Sequence, residues 1–388
     1  MIPRERFGLP QVLALLLLAA YLAQALWVVA QRPLERAEVL FARAGLEHFH
    51  GRVVQVPAMP VPAALAAIPF LLSGRDPEAL DPDLAKWTLR LPFVAFGWLL
   101  GASIWYVARR LYGNAGGYLA LALFCFSSFA YFVMPGPVIA GALGTFGTVF
   151  VAIAAAHTLY APPRAGGTLG FLLEVRHRWR RVLLLGTSIA LALGSGDSSL
   201  LVLVIALALM LYLVPERASA AAGIFLAACV VAGLTLLAVH GFRPGLVAEA
   251  VWRAQILTAG PGSSGADMLR GYWTGILRSA NLALPAMALA ALATYCALRK
   301  ARYFGNTAPL VMIVLLVVLG MFTSSDVFLG PFGMRSLPFV FVFIGGTFAD
   351  LMEGRRRRAV VVATAVLFVA YAAESLTALT RLQASLLR

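Results

Sequence analysis

Two carboxylates, Glu35 and Glu38, stand three residues apart in a stretch with helical apolar spacing. That separation places both on one face of a helix, where each can accept a proton or pair with a nearby arginine. Four arginines, Arg243, Arg253, Arg270 and Arg335, lie away from the main basic clusters. A guanidinium holds phosphate through its planar fork of donors; it also serves a lipid headgroup or a carboxylate such as Glu249 or Asp326. His48 and His50 raise metal binding, but two residues apart they point to different sides of a helix with no third ligand nearby, so both are expected at the surface. Asp197, in Gly194-Ser195-Gly196-Asp197-Ser198-Ser199, is expected to cap a helix starting near Ser199, although a charge buried there would point to function. His157 and Asn281 fall inside apolar runs and are expected to hydrogen-bond between helices. No metal site and no cofactor is expected.

The elements that carry these residues are read from composition. Of 388 residues, 61% are hydrophobic and only 12% are charged, and the apolar residues come in long unbroken runs. Runs of roughly 18 residues or more are membrane spans, and backbone groups in hydrocarbon must be satisfied within the segment. The runs exceed the roughly 10-residue strands of an outer-membrane barrel, so an all-α, polytopic membrane protein is expected. About eleven spans follow, near residues 9–30, 91–108, 116–134, 138–160, 182–194, 199–214, 220–239, 273–298, 309–323, 337–352 and 359–379. The first is read as a retained span rather than a signal peptide, because its apolar stretch continues past Ala23-Gln24-Ala25 to Ala30. Cys125, Cys229 and Cys296 all fall in apolar runs and act as small hydrophobes.

The net charge of +14 does not call for nucleic acid, because the basic residues form short clusters at the ends of apolar runs. If the helices alternate, Arg4/Arg6, Arg109-Arg110, Arg176 to Arg181, Arg217, Arg299/Lys300/Arg302 and Arg355 to Arg358 share one side, cytoplasmic by the positive-inside rule. The N-terminus is then cytoplasmic, the C-terminus extracytoplasmic, and the setting a bacterial inner membrane. Two long loops, 31–90 and 240–272, face outward, and the four isolated arginines lie on that side against the trend. Arg176-His177-Arg178-Trp179-Arg180-Arg181 suits anionic headgroups.

The first loop opens with an amphipathic segment, Leu34 to Leu46, whose apolar residues 34, 37, 41 and 44 oppose Glu35, Glu38 and Arg43; it is expected to lie on the membrane surface. Prolines at 57, 60, 62 and 69 predict an extended first half for Val53 to Pro69. A solvated acidic turn, Arg75 to Asp83, follows. The chain divides into a module over 1–215 and C-terminal helices over 216–388.

Within this layout, Leu34-Glu35-Arg36-Ala37, Met59-Pro60-Val61-Pro62, Leu89-Arg90-Leu91-Pro92, Ala108-Arg109-Arg110-Leu111-Tyr112-Gly113 and Met334-Arg335-Ser336-Leu337-Pro338 stand where a known family carries comparable motifs. The chain resembles the GT-C superfamily of polyprenyl-phosphate-sugar glycosyltransferases, nearest the protein O-mannosyltransferase and lipid A aminoarabinose transferase branch. The likeness is clear over residues 1 to 215 and a matter of layout beyond. It implies sugar transfer from a polyprenyl phosphate at the outer face of the membrane. A first-loop carboxylate, Glu35 or Glu38, would act as base or acceptor-positioning group, and Arg335 and Arg243 would hold the donor phosphate.

Three positions depart from the family pattern. Leu34 stands where the family has its leading Asp, Met134-Pro135-Gly136-Pro137 carries no carboxylate, and Gly194-Ser195-Gly196-Asp197 carries no lysine. These departures support a second expectation, a catalytically inactive GT-C-fold scaffold or accessory subunit in a membrane complex. A transporter is disfavoured because the spans show no symmetric, Gly/Pro-interrupted halves. The partners expected are a polyprenyl-phosphate sugar or other lipid, the membrane, and other membrane proteins.

Overall fold

Apolar residues at every helical position leave a segment no hydrophilic face, so such segments pack as fully hydrophobic rods. In a computed structural model of the chain, which describes residues 8–51, 59–127, 138–159, 168–195, 199–255, 282–298, 303–323, 331–352 and 357–386, all regular structure among the described residues is helical. We number the helices α1 (Leu9–Gln31), α2 (Arg36–Phe49), α3 (Pro60–Ser73), α4 (Pro82–Cys125), α5 (Val138–Leu159), α6 (Thr168–Gly194), α7 (Ser199–Leu213), α8 (Ala218–Val239), α9 (Pro244–Gln255), α10 (Ala283–Leu298), α11 (Tyr303–Thr323), α12 (Pro331–Met352) and α13 (Arg357–Leu386). Among the described residues, six helical stretches are long and apolar enough to cross a membrane: Leu9–Gln31, Pro82–Cys125, Val138–Leu159, Pro215–Val239, Arg335–Met352 and Val360–Thr377. Each expected span except 182–194, which falls in α6, overlaps one of these or a shorter apolar helix.

With 44 residues, α4 would run roughly 65 Å if straight, twice the hydrocarbon thickness. Gly113, at φ 81° and ψ −172°, breaks it. A Cβ on Gly117 would lie 3.2 Å from the Cα of Arg109, and one on Gly101 would lie 2.8 Å from the Phe124 ring. Residues 101 and 124 would stand roughly 35 Å apart along one straight helix. The chain therefore doubles back at Gly113, and α4 is two antiparallel arms.

The helices group into two compact units: Leu34–Pro92 with Pro137–Leu257, and Met1–Pro33 with Phe93–Gly136 and Thr258–Arg388. In the first, α5, α6, α7 and α8 share a core that includes Leu185, Ile189, Met210 and Phe225. Small residues set the close approaches, as membrane helices require: Gly144 meets the backbone of Leu191 and Ala192, and Gly186 meets Val231. In the second unit, Tyr21 stacks on Phe124 with centroids 5.0 Å apart. The Tyr371 hydroxyl donates to the Leu123 carbonyl at 2.9 Å, and the Cys125 thiol donates to that of Leu17 at 3.4 Å. Cys125, Cys229 and Cys296 are free thiols.

Pro60 and Pro62 occupy the first turn of α3, where backbone N–H groups have no intrahelical acceptor; residues 52–58, most of the stretch expected to be extended, lie outside the described residues. One sequence expectation changes here. The buried face of α2 carries Ala42, Gly45 and His48 rather than residues 34, 37, 41 and 44. Gly45 brings α3 so near that an added Cβ would sit 2.2 Å from the Ala63 carbonyl oxygen. Small and polar residues thus form the packed stripe that apolar spacing alone does not reveal.

Candidate functional site

Because the α2 stripe is turned, Glu38 points inward to meet Arg90, near the start of α4. Arg90 is fully buried, 0% exposed. Its Nε donates to Glu38 Oε1 at 3.1 Å and its Nη2 donates to Oε2 at 2.6 Å, a two-pronged pair. The backbone N–H of Glu35 also donates to Glu38 Oε2, at 3.1 Å, which is half of a capping box at the start of α2. With three donors on its carboxylate, Glu38 is held as an ion-pair partner and spans 52 residues of sequence. Glu35 is the N-cap residue and is exposed. The two acids therefore differ in setting despite their shared face. Further along α2, the exposed Arg43 bonds both Glu47 at 3.2 Å and Glu78 at 2.9 Å, tying the acidic turn to the helix. Both carboxylates hold the Arg43 guanidinium above its ordinary pKa, with Glu78 contributing most.

At the other end of α2, His48 meets His240, the residue that closes α8. Their rings cross edge to face with centroids 4.7 Å apart. Contrary to the surface expectation, His48 is 4% exposed and His240 is 1% exposed. Neither ring's nitrogens have a hydrogen-bond partner. Burial pushes both below the ordinary histidine range: His48 is lowered further by the positive charge of Arg243, and His240 falls to about 4 with help from His48. Two neutral, desolvated imidazoles result. Arg243 is exposed, and its Nη1 donates a long bond of 3.5 Å to the Gly51 carbonyl. A tight turn through Gly241 and Phe242, both at positive φ, brings it there. His50 is exposed, as expected.

The remaining candidates fall elsewhere. Arg335 is buried on α12 at 2% exposure, and Arg253 lies on α9. His157 is exposed in the last turn of α5 and does not bond between helices. Arg270, Asn281, Asp326, Asp197 and Met134 to Pro137 lie outside the described residues. Sequence reasoning missed Arg90 and His240 as site-forming residues. For Arg90 a signal exists: an arginine at the edge of a span needs a nearby anion, and Glu38 was available. His240 carries no such signal.

Over most of its length the chain is similar in fold to a solved oligosaccharyltransferase. The Archaeoglobus fulgidus oligosaccharyltransferase in its apo form matches with a TM-score of 0.52 at 11% identity, covering 93% of this chain and 56% of that one. The same enzyme tethered by a disulfide to an acceptor peptide containing the NVT sequon matches with a TM-score of 0.49 at 12% identity, covering 93% and 55%. The chain has a GT-C-like fold. It spans about half the length of the solved structures it matches. No protein-family model and no curated protein matches the sequence. The likeness is one of architecture, that of a multi-pass membrane protein.

Proposed function

We propose that this chain is a GT-C-type glycosyltransferase that moves a sugar from a polyprenyl-phosphate donor to an acceptor at the outer face of a bacterial inner membrane. The observation that carries the proposal is the fold likeness over 93% of the chain, on which α2, led by Glu35 and Glu38, opens the first long loop. In the proposed reaction Glu35 takes the proton of the acceptor nucleophile. The freed electron pair attacks the anomeric carbon, and the bond from that carbon to the phosphate oxygen breaks. The phosphate leaves with the bonding pair, and a cation must neutralise its charge; Arg243 sits at the Gly51 end of α2, roughly 20 Å along that helix from Glu35, and does not stand beside it. Glu38 serves as a positioning residue through its bonds to Arg90 and to the Glu35 N–H.

The same reading puts the N-terminus and basic clusters in the cytoplasm, the C-terminus outside, and about eleven crossings between them, with 1–215 as the GT-C-like module and 216–388 as further spans. The test is release of labelled sugar from a panel of polyprenyl-phosphate sugars by the purified protein. Transfer from one donor supports the proposal. No transfer from any donor, together with co-purifying membrane subunits, overturns it in favour of an inactive scaffold.

A further inference from the structure

A second feature of the first unit lies at the opposite end of α8 from His240 and takes no part in the proposed reaction. A shallow groove of about 330 Å³ runs between the end of α5, the middle of α6 and the start of α8, with Leu159, Trp179, Val182, Gly223, Ile224 and Ala227 among its walls. From Ala220 to Ala227 its α8 wall extends roughly 10 Å, within the roughly 15 Å that one leaflet of hydrocarbon supplies. Nothing stands within 4 Å of a Cβ built on Gly223, so the groove floor is open where a side chain would otherwise fill it.

The mouth is cationic and aromatic. Arg217, one turn before Ala220, donates from Nη1 to the Leu159 carbonyl, one of the acceptors that a helix end leaves unused. Arg217 is itself exposed, and its bond to Leu159, a groove residue, sets it beside the groove. Trp179, 55% exposed, flanks the mouth, and Tyr212, near the end of α7, is exposed close by in the chain. Arg180 and Arg181 follow Trp179 in α6, and Glu216 stands beside Arg217. Tryptophan and tyrosine with excess arginine mark the level of lipid headgroups.

We infer that this groove is a site for an anionic phospholipid, with one acyl chain lying along Gly223 and the phosphate held at the Arg217 mouth. An apolar trough about two-thirds of a leaflet deep fits the head-proximal part of an acyl chain, and the charge excess selects an anionic head over a zwitterionic one. The inference rests on the first unit alone and stands whether or not sugar transfer is found.

The experiment is native mass spectrometry of the detergent-purified full chain with phosphatidylglycerol, phosphatidylethanolamine or free glycerol phosphate. The wild type is expected to retain one phosphatidylglycerol in preference to phosphatidylethanolamine, and to ignore glycerol phosphate. Arg180→Gln with Arg181→Gln is expected to lower that preference roughly fivefold for each charge removed. Gly223→Leu is expected to abolish retention while leaving thermal stability unchanged or raised, because leucine replaces glycine inside a helix in open space. Equal retention of both lipids by the wild type, or full retention by a stable Gly223→Leu protein, would overturn the inference. Retention of glycerol phosphate alone would mean an anion site without a lipid and would overturn it too.

Discussion

Glu38 and Arg90 form the pair on which the first loop depends. A cation with no exposed surface is tolerable only while its partner remains. Glu38→Gln is expected to destabilise the protein by roughly 3 kcal/mol, read as a lowered unfolding temperature in detergent. By contrast Glu47→Gln, which breaks one exposed contact of Arg43, is expected to cost less than about 1 kcal/mol. If both substitutions shift the melting temperature equally, the buried pair is not the anchor. The histidine pair sets a pH dependence. His240 has its pKa depressed to about 4 in the fold, against roughly 6.5 when unfolded. Between those values the unfolded chain binds more protons, so stability is fully present above about pH 6.5 and falls as pH drops toward 4, by on the order of 1 kcal/mol per pH unit. His240→Phe keeps an aromatic edge against His48 and removes the titrating group. Its thermal stability is expected to show a flatter slope over that window; an unchanged slope would place the titration elsewhere.

Elements meet where glycine permits it. A side chain at Gly45 would strike the backbone of Ala63, so Gly45→Ala is expected to push α2 off α3 at a cost of roughly 1–3 kcal/mol. Gly113 holds a backbone conformation closed to other residues, and Gly113→Ala is expected to cost about 1–3 kcal/mol in the α4 turn. Both are checked by thermal unfolding beside Gly223→Ala, which has open space and is expected to be neutral or stabilising. The α4 hairpin was legible in advance because two apolar runs flank Arg109-Arg110-Leu111-Tyr112-Gly113. The α2 stripe was not, since the residues that pack there are an alanine, a glycine, a glutamate and a histidine, types that apolar spacing assigns to solvent. Nor could spacing reveal a contact between His48 and His240, which depends on how α2 and the end of α8 come together in three dimensions.

At the scale of the molecule, long apolar helices and a GT-C-like arrangement define a multi-pass membrane protein. The distribution of arginines predicts that Asp76, in the first loop, and Arg217, between α7 and α8, face opposite sides. Single-cysteine variants at these positions in a cysteine-free background, labelled in intact cells by an impermeant maleimide, are expected to react at 76 and not at 217. The reverse pattern would invert the topology and place the proposed reaction on the wrong side. Which carboxylate does chemistry is decided by turnover of the best donor by wild type, Glu35→Gln and Glu38→Gln. Glu35→Gln is expected to lose turnover while melting like the wild type, and Glu38→Gln to lose stability first. Wild-type turnover by a well-folded Glu35→Gln protein would contradict the assignment of Glu35 as the base.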